Sequence, residues 1–263
     1  MKVKLIIATH KKYDMPEDEL YLPLHVGREG KLGIGYVGDN TGDNISVKNS
    51  SFCELTGLYW MWKNLDYDYL GLVHYRRHFS GKNLLYRGCH NHSECILTSK
   101  ELEPLLDKYS VIVPKKRHYY IESLYSHYEH THYKEHLDMT RAIIEEKYPE
   151  YLTDYDETVY QTSGYMFNMF IMKKELVCDY CGWLFDILFE LEQRAEKMGV
   201  SYSQFQGRFY GRVSEIIFNA WLHHQHVTVK EIPYIHLGKI NWIKKGKSFI
   251  EAKIHSKKYE HSF

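Results

Sequence analysis

Nothing in the sequence approaches the roughly 20 consecutive apolar residues that a membrane-spanning helix needs. The opening Met1-Lys2-Val3-Lys4-Leu5-Ile6-Ile7 runs into polar residues without the apolar core of a signal peptide, so a cytoplasmic location is expected. Net charge is lacking too: 34 Lys+Arg balance 34 Asp+Glu, and no global field draws nucleic acid or an anionic bilayer to the chain. The five cysteines are odd in number and irregularly spaced, which is not the pattern of a disulfide framework and agrees with a reducing compartment. There is no internal repeat or low-complexity tract, which excludes solenoids and propellers.

Tyrosine, by contrast, is abundant. The chain has 24 Tyr, whose flat apolar face and hydroxyl suit sugars and nucleobases, although half-buried packing explains any one of them as well. A length of 263 residues fits one large α/β domain, expected over 1–238, followed by a basic amphipathic segment, 239–263. Between Lys239 and Lys258 seven Lys stand against the single Glu251, and Trp242, Phe249, Ile250 and Ile254 are interleaved. Residues 239–258 are therefore expected to rest on an anionic membrane surface as a peripheral contact, or to pack as a solvated tail.

Val3 to Ala8 reads as a buried first strand delivering Thr9, His10, Lys11 and Lys12 at its carboxyl end, where open α/β sheets bind ligands. Tyr13 to Asn49 reads as a long functional loop with short strands. Ser51 with Glu54 forms a capping box for a helix running to Asn64, and Thr98 with Glu101 forms another for a helix over Leu102 to Lys108. Tyr69 to Val73, Val111 to Val113 and Tyr165 to Met172 read as strands. His118 to Pro149 reads as a partly helical excursion, and the spacing of Leu176, Val177, Tyr180, Trp183, Leu184, Ile187, Leu188 and Leu191 predicts a strong amphipathic helix. This alternation predicts a mostly parallel sheet flanked by helices.

The basic run His74-Tyr75-Arg76-Arg77 follows a buried strand abruptly and suits a pyrophosphate. Both Arg side chains meet one ligand only if the strand ends there. Asp66-Tyr67-Asp68 has the form of a metal-binding Asp-x-Asp, yet it precedes its strand and reads as a turn. Glu215 is expected to open a helix after a Gly211-Arg212-Val213-Ser214 loop, where it serves either as a general base or as a partner of the helix dipole. Cys178 and Cys181 read as core packing. Cys89, His90, His92 and Cys95 lie too close together for tetrahedral zinc, and His132 with His136 lacks the metalloprotease order.

Ala8-Thr9-His10-Lys11-Lys12, Asp43-Asn44-Ile45-Ser46, Cys53 to Trp60, Trp62-Lys63-Asn64 and Gly71 to Arg77, with Gly211 to Glu215 and Phe218 to Leu222, resemble a bacterial capsular and exopolysaccharide biosynthesis family. That family was long filed as a domain of unknown function and is regarded as glycosyltransferases. The resemblance implies a GT-A-like nucleotide-binding fold and transfer of a hexose, galactose or galactofuranose, from a UDP-sugar to a lipid-linked oligosaccharide in capsule, O-antigen or exopolysaccharide synthesis. It implies donor contacts from Thr9, His10, Lys11, Asp43, Asn44, Asn49, His74, Tyr75, Arg76 and Arg77. Acceptor contacts are expected from His127, His130 and Asn168, and Glu215 is expected as the catalytic base of an inverting displacement.

Metal dependence stays open. Basic side chains stand where related folds place Asp-x-Asp, whereas Tyr234 to Lys239 is similar to a terminal motif whose His, here His236, holds Mn or Mg. The alternative from another class is a noncatalytic sugar- or nucleotide-binding component of a polysaccharide assembly complex. Oligomeric state is not specified by the sequence.

Overall fold

The computed structural model describes residues 1–238, so the segment 239–263 and its expected membrane contact lie outside the described residues. In chain order the elements are β1 (Val3–Thr9), β2 (Tyr21–His25), β3 (Val37–Gly38), α1 (Asn49–Phe52), α2 (Leu55–Asn64), β4 (Tyr69–His74), β5 (Arg77–Phe79), α3 (Leu84–Cys89), α4 (Ser99–Leu106) and β6 (Val111–Pro114). There follow β7 (Arg117–His118), α5 (Leu124–Thr131), α6 (Glu135–Lys147), α7 (Leu152–Tyr160), β8 (Ser163–Gly164), β9 (Phe170–Lys173), α8 (Lys174–Lys197), α9 (Phe209–His224), β10 (Val229–Ile232) and β11 (Tyr234–His236). They fall into two compact units. The first holds Met1–Lys116, Tyr165–Cys181 and Val227–Gly238, and the second holds Arg117–Gly164 and Gly182–His226 among the described residues.

The first unit is built on a sheet of order β10-β6-β9-β4-β1-β2-β3. Neighbours β10/β6, β4/β1, β1/β2 and β2/β3 are parallel, while β9 runs antiparallel between β6 and β4. Leu5, Ile6, Ile7, Leu72 and Val73 are fully buried, as expected of strands covered on both faces. A Cβ at Gly57 would come within 2.8 Å of Val26 and 3.2 Å of Leu24, so this glycine lets α2 lie close on the β2 end of the sheet.

The expected helix over 52–64 is divided. Cys53 takes φ 54° between α1 and α2, Ser51 donates its hydroxyl to the Lys48 carbonyl at 3.1 Å, and Glu54 caps nothing. The second capping box is present, with the Thr98 N–H donating to the Glu101 carboxylate at 3.0 Å. Strand β9 begins only at Phe170, because Phe167 (φ 79°) and Asn168 (φ 52°) form a left-handed turn where strand is expected. Asp68 accepts from the Lys2 N–H at 2.6 Å and Asp66 pairs with Lys174, so Asp66-Tyr67-Asp68 is a helix-to-strand turn.

The second unit is helical, with α5, α6, α7, the carboxyl-terminal part of α8 and α9, and a small antiparallel pair β7/β8. The segment read as an excursion supplies α5 and α6. In its core the His136 ring stacks on Phe209 at 3.7 Å and hydrogen-bonds the Tyr128 hydroxyl at 2.9 Å, while His132 bonds Gln206 at 2.9 Å. These two histidines are packing groups. Helix α9 starts at Phe209, because Phe209, Tyr210, Val213, Ile216 and Ile217 bury one continuous helical stripe. Gly211 to Ser214 is therefore helix rather than loop, and Glu215 lies in the second turn instead of opening the helix. Among the described residues no helix is long and apolar enough to cross a membrane.

Candidate functional site

Strands β1 and β4 end side by side, with Ala8 opposite His74. Beyond them the chain turns sharply. The Thr9 hydroxyl donates to the Lys11 carbonyl at 2.7 Å, and the Tyr75 N–H donates to the Ala8 carbonyl at 3.2 Å. Tyr75 and Arg76 form the tight turn between β4 and β5, in which His74 pairs with Arg77. The Tyr75 ring is thereby held at the carboxyl edge of the sheet. His10 and Tyr13 each meet it edge-on at 5.2 Å, the Lys11 ammonium lies 5.5 Å from its centroid and the Arg76 guanidinium 5.1 Å. An aromatic face attracts both cations without neutralising them.

Lys11 and Arg76 are exposed, and neither has an acidic partner among the described residues. Two uncompensated cations where ligands bind an α/β sheet suit a diphosphate. Arg77 turns elsewhere: its guanidinium lies 4.6 Å from the Phe167 centroid, and Phe167 packs on Tyr234 at 5.1 Å. The two arginines thus serve different rings rather than forming one clamp.

His74 Nε2 lies 2.5 Å from the Phe167 carbonyl. A carbonyl only accepts, so Nε2 carries the proton and the ring orientation is fixed. Burial is the largest influence and pushes the His74 pKa down; the Glu54 carboxylate opposes it, and Arg77 and Arg76 push it further down. His74 is thus a neutral anchor for the turn at 167–168. Asn168, expected at the acceptor, donates to Glu54 at 2.7 Å in this first unit.

Asp43, Asn44 and Asn49 have contacts within their own loop and with α1 and α2. Asp43 accepts from the Tyr59 hydroxyl at 3.1 Å, Asn44 braces Gly42 and Ser46, and Asn49 donates to the Cys53 carbonyl at 2.6 Å. The centre of that loop is a residue the sequence reading passed over. Asp39 is fully buried and accepts from the N–H groups of Gly27 and Arg28 at 2.8 and 3.0 Å and from the hydroxyls of Ser46 and Thr56 at 2.5 and 2.6 Å. A lone Asp in a Gly-rich loop carries little signal. Four converging donors become visible only in the fold.

His236 sits on β11 opposite Arg77, and its carbonyl accepts from the His92 ring at 2.7 Å. A divalent cation needs several oxygen or nitrogen ligands, and among the described residues no three His, Cys, Asp or Glu groups converge as such a site. The guanidinium-bearing strand beside His236 is a poor neighbour for a cation. Cys181 is buried in the core as expected, whereas Cys178, also read as core, is exposed on the outer face of α8; Cys95 is buried and Cys89 exposed.

In the second unit Glu215 is half-buried on α9, and its carbonyl accepts from the Asn219 side chain at 2.8 Å. His127 and His130 are brought together by a residue the sequence reading also missed. Both rings bond the buried carboxylate of Glu122 through Nδ1, each at 2.9 Å.

A family model described as a domain of unknown function, DUF4422, matches residues 4–226. The chain belongs to the DUF4422 family. It is similar to a solved structure named as the WbbM bifunctional glycosyltransferase in its apo state, with 30% sequence identity and a TM-score of 0.80 over 91% of this chain and 46% of that one. This DUF4422 chain therefore spans under half the length of the WbbM chain. No curated protein matches. With the sheet order above, the likeness makes the fold GT-A-like: a mostly parallel central sheet flanked by helices.

Proposed function

We propose that this DUF4422 protein is a glycosyltransferase whose sheet edge at Tyr75 binds the diphosphate of a nucleotide-sugar. The observation that carries the reading is the pair of exposed cations, Lys11 and Arg76, set around Tyr75 at the ends of β1 and β4 and without acidic partners among the described residues. The likeness to the WbbM structure, itself named a glycosyltransferase, supports glycosyl transfer as the reaction class.

In the proposed reaction an acceptor hydroxyl oxygen attacks the anomeric carbon, the bond from that carbon to the phosphate oxygen breaks, and the nucleoside diphosphate leaves with the electron pair. Lys11 and Arg76, with Arg77 behind Phe167, stabilise the charge that develops on the leaving group. His74 holds the 167–168 turn, and Thr9 and His10 shape the edge. Asp43, Asn44 and Asn49 brace the loop flanking the nucleotide, and Glu215 accepts the hydroxyl proton in an inverting displacement. The donor is a UDP-hexose, with galactose in pyranose or furanose form as the first sugar to test. The acceptor is a lipid-linked oligosaccharide of capsule, O-antigen or exopolysaccharide synthesis, met at the cytoplasmic membrane surface. Lys11 and Arg76 stand in this reading where a Mn or Mg ion would otherwise stabilise the diphosphate, since the surroundings of His236 do not fit one among the described residues.

Calorimetric titration with UDP, GDP and CMP, each with and without Mn, tests this reading. UDP binding without metal supports it, UDP binding only with Mn moves the weight to His236, and binding of no nucleotide overturns it.

A further inference from the structure

Glu122 precedes α5 and is only 5% exposed, an unusual place for a carboxylate. Its two oxygens are shared between His127 and His130, one helical turn apart on one face of α5. These bonds pull the Glu122 pKa down against the opposing effect of burial, which keeps the carboxylate ionised. An ionised carboxylate only accepts, so each Nδ1 carries the donated proton. In the neutral ring the other nitrogen, Nε2, is then left as an acceptor. A carboxylate bonded to one ring nitrogen fixes an imidazole in this way where the other nitrogen must meet a ligand.

The surroundings have the ingredients of carbohydrate recognition. Tyr119 packs on the His127 ring at 4.3 Å, and the Arg117 guanidinium lies 4.9 Å from the Tyr119 centroid. The next residue, Tyr120, is 84% exposed and held at φ 59°, a strained conformation for a bulky side chain. An exposed Tyr and a hydroxyl-accepting ring nitrogen offer a sugar a stacking face and a polar contact. His130 is itself exposed, and its Nε2 has no hydrogen bond among the described residues.

We propose that Glu122, His130 and Tyr120 form a saccharide-binding subsite in the second unit, with His130 Nε2 accepting a sugar hydroxyl and Glu122 as the positioning residue that sets its tautomer. The proposal rests on the glycosyltransferase reading only in taking the bound sugar to be the acceptor. The subsite itself is independent of nucleotide.

The test uses the full chain with 15N-labelled histidine and methyl β-galactoside as the probe, in the absence of nucleotide. Nitrogen spectra are expected to show His127 and His130 protonated at Nδ1, and the probe is expected to shift His130 Nε2. Glu122→Gln is expected to mix the tautomers and weaken probe binding about tenfold, and Tyr120→Ala, on the exposed loop, to weaken it without changing the tautomers. A parallel UDP titration of each sample separates this subsite from the donor reading, since both variants are expected to bind UDP as the parent does. Nε2-protonated rings, or a probe that leaves His130 unmoved in the folded parent, would overturn the subsite whatever the UDP result.

Discussion

Asn168 donates its side-chain amide to the Glu54 carboxylate at 2.7 Å from a backbone held at φ 52°, tying the left-handed turn before β9 to the start of α2. Asn tolerates that backbone region better than other side chains, so one residue satisfies both the turn and the carboxylate. The Phe167 carbonyl beside it anchors His74.

The pairing separates two costs. Asn168→Gly is expected to lose the hydrogen bond alone, about 1–2 kcal/mol. Asn168→Ala should lose roughly 1 kcal/mol more through left-handed strain. Urea unfolding measures both, and an alanine variant more stable than the glycine variant would contradict the assignment.

Asp39 is the loop's keystone. Asp39→Ala leaves the N–H groups of Gly27 and Arg28 without their acceptor and frees two hydroxyls, so a loss of about 3 kcal/mol or more is expected in thermal or urea unfolding. Asp39→Asn, which keeps one carbonyl acceptor, should fall between that variant and the parent. A loss within about 0.5 kcal/mol for the alanine variant would show that the loop stands without its carboxylate.

The second unit should weaken in mild acid. Burial, reinforced by Arg212, lowers the pKa of His136 to about 3 and that of His132 to about 2, against an ordinary 6.5. Below pH 6.5 the unfolded chain gains protons that the folded one refuses, so stability falls as pH drops, by up to roughly 1.4 kcal/mol per pH unit for each ring. The window runs from pH 6.5 down toward 3. Unfolding followed from pH 7 to 5 should show the decline, and His136→Leu should reduce its slope by up to roughly 1.4 kcal/mol per pH unit, the share of one ring. An unchanged slope in that variant would refute the attribution.

Much of the sheet was legible because its strands are continuous apolar runs: Val3 to Thr9, Tyr69 to His74 and Val111 to Pro114 lie where periodicity puts them. So does the amphipathic α8. The division at Cys53 was not legible, since Ser51 and Glu54 have the spacing of a capping box and only tertiary contacts assign Glu54 to Asn168 instead. Glu215 was misplaced within its helix because Gly211 reads as a loop residue although its neighbours complete a buried stripe. At the site, sequence brought Lys11, Tyr75 and Arg76 to one edge by strand order alone. Glu122 and Asp39 escaped because isolated acids have no periodicity, and their partners come from turns whose geometry the sequence does not encode locally.

The most direct test of the account is UDP affinity of the parent and of the Lys11→Ala/Arg76→Ala variant, measured without metal at low and high salt. Each charge-assisted contact is expected to contribute roughly tenfold, so the variant should bind about 100-fold more weakly and lose most of its salt dependence. Equal UDP affinity in a variant that unfolds like the parent would contradict the assignment of this edge to the diphosphate.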